Sequence, residues 1–232
     1  MMLEVHDLHA FYGKSHILQG VDLMVGEGEI VSLLGRNGVG RTTTCKAIMG
    51  LVDPIGTVRY RGRNIAGLSA NLVARVGIGY VPEDRQIFPA LMVRQNLTLG
   101  LKRAGRFGRW NFDDVFRLFP NLGERQNTQA GVLSGGEQQM LTICRTLMMQ
   151  PRLILVDEPT EGLSLSMVDQ VAQLLREVAR RGVAVLLVEQ KLTIALGLCD
   201  RINVMGHGRI VFDGSVDEFE NNPSVRAEWL EV

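Results

Sequence analysis

The chain has 232 residues, and its 25 Lys and Arg balance its 25 Asp and Glu, so the formal net charge is zero. Such a balance gives no electrostatic case for nucleic acid or an anionic membrane surface as a partner. The length suits one large domain that buries roughly 70–75% of its unfolded surface, and the cysteines, odd in number and far apart at Cys45, Cys144 and Cys199, read as buried thiols of a reducing cytosol.

Met1 to Asp7 carries acid where a signal peptide carries base. No apolar run approaches the roughly 18 residues of a membrane span, so a soluble protein is expected. Leu3-Glu4-Val5-His6-Asp7-Leu8 alternates apolar and polar, the pattern of a half-exposed strand. Phe11-Tyr12-Gly13 follows, then a second strand over Ile17 to Val25. Gly26 and Gly28 turn the chain into the apolar run Ile30 to Leu34, which feeds a glycine-rich stretch and a helix-compatible run from Thr43 to Leu51. Gly56 to Gly62 alternates again, and Val76 to Val81 is a short apolar strand stopped by Pro82. The first third therefore reads as antiparallel strands wrapped around one strand–loop–helix unit.

From about Glu83 to Gln150 the pattern turns helical. Met92 to Lys102 and Asp113 to Phe119 are predicted helices, separated by the basic, glycine-containing loop 102–110. Gly135 to Met149 places Met140, Ile143, Cys144, Leu147 and Met148 on one helical face. Ser134 stands at its N-cap with Glu137 three residues on, a capping box. Residues 84–150 are thus a candidate helical subdomain inserted within a single domain, 1–232. Beyond it, Leu153 to Val156 is apolar throughout, as a strand buried on both faces would be. A helix carrying Val168, Val171, Leu174, Leu175 and Val178 ends near Gly182. Val183 to Val188 is a second buried strand, Lys191 to Leu198 a helix. Ile202 to Met205 and Arg209 to Phe212 form a hairpin across Gly206-His207-Gly208. Alternating β and α here predicts a mostly parallel sheet.

Three stretches carry chemistry. Gly35-Arg36-Asn37-Gly38-Val39-Gly40-Arg41-Thr42-Thr43 lies between a strand and a helix, the context of a phosphate-binding loop. Its glycines let several N–H groups converge on one anion, and the helix N-terminus adds partial positive charge there. The pattern G-x-x-x-x-G-K-[ST] fits at every fixed position except that Arg41 replaces the lysine; Thr42 supplies the hydroxyl expected on Mg²⁺. Asp157 and Glu158 end a buried strand, facing the crevice where α/β sheets bind ligands. Asp157 suits Mg²⁺ and Glu158 suits an attacking water. Leu133-Ser134-Gly135-Gly136-Glu137-Gln138-Gln139 is a second helix N-terminus of the anion-binding kind.

These three stretches together resemble the ATP-binding subunits of ABC transporters, over about residues 2 to 214. The resemblance implies an α/β fold with a P-loop NTPase core, a mostly parallel sheet, an antiparallel β subdomain and an inserted α-helical subdomain. It implies ATP and Mg²⁺, with residues 35–43 on the phosphates, Tyr12 stacked on adenine, and Thr42, Asp157 and Glu83 near the metal. Glu158 would be the hydrolytic base, and Gln190 stands where most members carry a γ-phosphate-contacting histidine. Ser134, Gly135, Gly136, Glu137 and Gln138 would act across a dimer, whose interface Glu161 to Ser164 would also cross.

Glu83, Gln190, Arg85 to Pro89 and Gly131 to Leu141 look like one subgroup, the smaller ATP-binding subunit of branched-chain amino acid importers and the similar urea/amide importers. That subgroup implies a second ATP-binding subunit, as homodimer or heterodimer, transmembrane permease subunits, no nucleic acid, and a peripheral position on the cytoplasmic face of the inner membrane. Arg41 departs from the subgroup. It keeps the charge but cannot sit as a point charge between phosphates, and a misplaced transition-state contact costs roughly 3–4 kcal/mol. Two readings follow: a motor subunit that hydrolyses ATP, or a dimer subunit that binds ATP with weak hydrolysis at its own site. A third, an ABC ATPase of translation or repair, lacks the duplicated cassette and coiled-coil insertion it needs.

Overall fold

A computed structural model describes residues 1–101 and 109–231. Two sheets organise them. The smaller is antiparallel, with order β2-β1-β4-β5, and contains β1 (Leu3–Tyr12), β2 (Ser15–Val25), β4 (Pro54–Tyr60) and β5 (Arg63–Asn64). The larger has the order β10-β9-β3-β8-β7-β6. It contains β3 (Ile30–Leu34), β6 (Ile78–Val81), β7 (Leu153–Asp157), β8 (Ala184–Val188), β9 (Arg201–Gly206) and β10 (Arg209–Ser215). All its pairings are parallel except the β9–β10 hairpin at one edge.

The larger sheet partitions the interior. β3, β7 and β8 are buried at every residue, and alternate side chains go to opposite faces, as the strand period requires. Ile30, Leu34, Ile154, Val156, Val185 and Leu187 join one core. That core is built with α3 (Val93–Leu99), α4 (Phe112–Leu118), α5 (Pro120–Glu124), α6 (Gly135–Met148) and α7 (Leu165–Arg180). Val31, Leu33, Leu153, Leu155, Leu186 and Val188 join the other, shared with the antiparallel sheet and α1 (Arg41–Ile48). The predicted apolar face of α6 is buried, and the Ser134–Glu137 capping box forms: Ser134 N–H donates to Glu137 Oε2 at 2.8 Å. All three cysteines are free and buried.

The differences from the sequence reading lie in short elements. The predicted strand beginning at Val76 starts two residues later, because Val76 closes α2 (Ala70–Val76), with Gly77 in the left-handed region ending the helix. Residues 83–92, expected to open the helical block, form an extended loop, and Arg85 and Gln86 have positive φ. The sequence reading assigns no element to helix α5, started by Pro120, nor to α9 (Val216–Glu220) and α10 (Pro223–Trp229), which follow α8 (Leu192–Leu198) and the hairpin. Each spans only five to seven residues, too few to show a period. Residues 102–108 of the basic loop lie outside the described residues.

Candidate nucleotide site

β3 delivers the chain to the phosphate loop, and the loop's path depends on two glycines. A Cβ on Gly35 would lie 2.6 Å from the Met205 carbonyl oxygen, and one on Gly40, at φ 114°, 2.8 Å from Leu18. Only glycine fits so close an approach or so positive a φ. Behind the loop, the Gly208 N–H donates to the Val39 carbonyl at 3.1 Å, so the β9–β10 turn buttresses it.

The loop opens on a cavity of about 390 Å³, within the usual range for a small-molecule site. Asn37, Gly38, Gly40, Arg41, Thr42 and Thr43 line it, together with Tyr12, Ile17, Glu83, Glu158, Glu161 and Gln190. Gly35, Arg36 and Val39 shape the loop without lining that cavity, and the Val39 N–H donates back to the Arg36 carbonyl at 3.4 Å. Tyr12, at the end of β1, lines the cavity and is 48% exposed.

Thr42 and Asp157 come together from the start of α1 and the end of β7. The Thr42 hydroxyl donates to Asp157 Oδ1 and the Tyr80 hydroxyl to Oδ2, both at 3.2 Å. Burial pushes the Asp157 carboxyl up, and those two hydrogen bonds offset only part of the effect. Burial also drives the Tyr80 phenol far up, so it stays a donor. A hydroxyl beside a carboxylate at a phosphate loop is the oxygen donor set that Mg²⁺ takes. Glu83, expected with this pair, instead groups with Glu158 and Glu161, their carboxylate oxygens within 4.8 Å of one another. Burial first, then repulsion from Glu158 and Glu161, holds the Glu83 carboxyl above its ordinary value.

Glu158 stands at φ 45°, its N–H bonded to the Val188 carbonyl at 3.0 Å. Its two carboxylate oxygens have different partners. Oε2 accepts from the Gln190 amide at 2.7 Å, and Oε1 accepts from Arg41 Nη2 at 2.7 Å. The Arg41 and Glu158 side chains are 4% and 10% exposed. Arg41 Nη2 also reaches Asn37 Oδ1 at 3.1 Å, and Nη1 donates to the Glu189 backbone carbonyl at 2.8 Å.

A family model described as ABC transporter matches residues 18–161, more than half of the chain. The chain belongs to the ABC transporter family. It is an ATP-binding cassette, an ATPase coupled to transport. Among curated relatives it is 40% identical over 231 residues to the high-affinity branched-chain amino acid transport ATP-binding protein BraG of Pseudomonas aeruginosa, covering 99% of both chains. It is 31% identical over 234 residues to the lipopolysaccharide export system ATP-binding protein LptB of Haemophilus influenzae, covering 99% of this chain and 97% of the other. Among solved structures, an ATP-binding subunit of an ABC transporter superposes with a TM-score of 0.83 at 27% identity, covering 100% and 97% of the two chains. A bacterial ABC transporter cassette solved as a dimer superposes with a TM-score of 0.80 at 25% identity, covering 93% of this chain and 99% of that one.

Within this ABC ATPase, Ser134 to Gln138 are not among the residues lining the cavity. They form the first turn of α6, beside Arg85, whose Nη2 donates to the Glu161 carbonyl at 3.2 Å. Two contributors to the cassette escaped the sequence reading. Tyr80 acts on Asp157 because β6 and β7 pair in register, Tyr80 beside Leu155, which puts Asp157 one period of two further along the same face. Glu189 is buried and braces the strand end: Thr160 donates to its Oε1 at 2.6 Å and the Gln190 N–H to its Oε2 at 3.1 Å. Both depend on register between strands far apart in sequence.

Proposed function

We propose that the chain powers import of branched-chain amino acids, as one of two ATP-binding subunits working under transmembrane permease subunits. The observation that carries this reading is the convergence of the phosphate loop, Glu158 and Gln190 on one cavity, with buried Asp157 bonded to Thr42 at its wall. The 40% identity to BraG adds the cargo class. Backbone N–H groups of Gly38 to Thr42 cradle the phosphates of ATP and Tyr12 takes the base. Thr42 and Asp157, with Glu83 at the rim, would hold Mg²⁺, which when bound neutralises charge on the phosphates. Water attacks the terminal phosphorus, the bond to ADP breaks, and Glu158, held by Gln190, takes the water's proton. Ser134 to Gln138 serve the partner subunit's nucleotide. The whole chain, 1–232, is one cassette domain, with the helical subdomain over about 84–150.

No helix among the described residues is long and apolar enough to cross a membrane. A peripheral position on the cytoplasmic face of the inner membrane follows from the permease. Phe88, Met92, Leu99 and Leu101 expose apolar surface around the helical subdomain, at 50%, 40%, 55% and 43%. Exposed apolar side chains of that kind are available to a docking partner. Reconstitution with the permease subunits of a branched-chain amino acid importer in vesicles tests the reading. ATP-driven uptake of leucine is expected; uptake of urea or amides alone would move the chain to the other importer class, and no ATP-dependent uptake would overturn it.

A second reading, weak hydrolysis at the chain's own site, is favoured by one observation: Arg41 is paired with the base itself. Single-turnover hydrolysis by the assembled subunits separates the two.

A further inference from the structure

The pairing of Arg41 with Glu158 resolves into a division of labour within one guanidinium. Nη1 is committed to a backbone acceptor, the Glu189 carbonyl, which cannot leave. Nη2 is shared between two side chains, Asn37 and Glu158, both of which line the nucleotide cavity. One end of the fork is an anchor, and the other is exchangeable. On Glu158, both oxygens are engaged, Oε1 by Arg41 and Oε2 by Gln190. With both oxygens already taken by protein donors, Glu158 has no free oxygen to turn toward a water in this arrangement.

The γ-phosphate of a triphosphate whose other phosphates sit on the loop's backbone N–H groups is a second anion competing for the same buried guanidinium. Arginine is suited to that exchange, because its planar fork matches phosphate as well as carboxylate. We infer that Arg41 is a triphosphate-specific latch: it ties up Glu158 until the γ-phosphate of ATP takes Nη2, which frees Oε1 for the attacking water while Gln190 keeps the carboxylate aimed. This rests on the reading of the cavity as an ATP site. The exchange makes and breaks only ion pairs and hydrogen bonds. ADP lacks the competing group and leaves the latch closed, so Arg41 acts as a specificity-determining and positioning residue as well as a phosphate ligand.

The test uses the full chain with ¹⁵N-labelled arginine and NMR of the guanidinium N–H groups. The Arg41 signals are assigned by their loss in Arg41→Lys. Their response is followed with ADP and with a non-hydrolysable ATP analogue, and binding of each is measured in parallel by calorimetry. Expected are Arg41 Nη signals unmoved by ADP and shifted by the triphosphate analogue, with Glu158→Gln shifting them before any nucleotide is added. The same variant should bind the triphosphate analogue tenfold or more tightly than the unsubstituted chain, a difference of about 1.4 kcal/mol, while its ADP affinity changes less than twofold. Equal responses to both nucleotides, or no response to an analogue that calorimetry shows to be bound, would overturn the latch and leave the ATP-binding reading standing. Absence of binding by either nucleotide would remove that reading and the latch with it.

Discussion

Glu158 occupies a left-handed backbone conformation, φ 45°, which costs a non-glycine residue roughly 1–2 kcal/mol. The turn is kept because it aims a carboxylate into the crevice, where Arg41 and Gln190 receive it. Glu158→Gln is expected to retain ATP and accumulate an ATP-bound dimer while turnover falls a hundredfold or more, the usual scale for loss of a general base; gel filtration and steady-state kinetics on the assembled subunits check this. Glu158→Ala is a different experiment, because it strands the buried Arg41 charge. It should lower folding stability by roughly 3–5 kcal/mol, read by urea unfolding, whereas Glu158→Gln keeps an acceptor and should cost far less. Arg41→Lys shortens the reach to Glu158 and restores a point charge, so kcat of the assembled pair should rise tenfold or more. Equal kcat would mean that the loop accommodates arginine without penalty. Motif and spacing single out both residues in the sequence. That Arg41 and Glu158 pair with each other was not legible there, since the two stand 117 positions apart and meet only through the order of strands β3, β8 and β7.

At the scale of elements, α7 shows how a helix is tied to its neighbours by charge. Glu177 accepts from Arg180 at 2.7 Å and from Arg181 at 2.7 Å, three and four residues on. Arg181 also reaches Asp114 of α4 at 3.3 Å and lies 4.2 Å from the Trp110 ring centre. Hydrogen bonds from Arg180 and Arg181 hold the Glu177 carboxyl down at about 2, against an ordinary 4.5. A carboxyl lowered in the fold adds stability above its ordinary value and loses it as pH falls. The melting-temperature gap between the unsubstituted chain and Glu177→Gln should therefore be full above pH 4.5 and close as pH falls toward 2. A gap independent of pH in calorimetric scans would show that the ion pairs are not its source. Long periodic elements such as α6 and α7 and the apolar runs of β3, β7 and β8 were readable from sequence. Short helices were not, because α2 and α5 depend on a terminating glycine or a starting proline more than on a periodic face.

For the molecule as a whole, the larger sheet is the common wall of two cores, one built with the helices and one with the antiparallel sheet. The sheet's parallel character was predictable from alternating β and α, but its strand order was not, since every crossover brings together segments distant in sequence. Because β3, β7 and β8 are buried at every residue, their amides have no route to solvent short of opening both cores at once. Regions of that kind exchange hydrogen only through global unfolding. The amides of Val31, Leu155 and Leu186 are thus expected to be the slowest in the chain, exchanging at a common rate that tracks denaturant sensitivity of the whole fold. The edge strand β10 and helix α10 should exchange orders of magnitude sooner, as mass spectrometry of deuterated peptides would read. The phosphate loop hangs from β3 and the Asp157–Glu158 acids from β7, so the groups proposed to meet the nucleotide are suspended from the segments that open last. Heat or denaturant should then fray the periphery well before the crevice loses its shape, and nucleotide protection should persist in partly exchanged protein until the final cooperative transition.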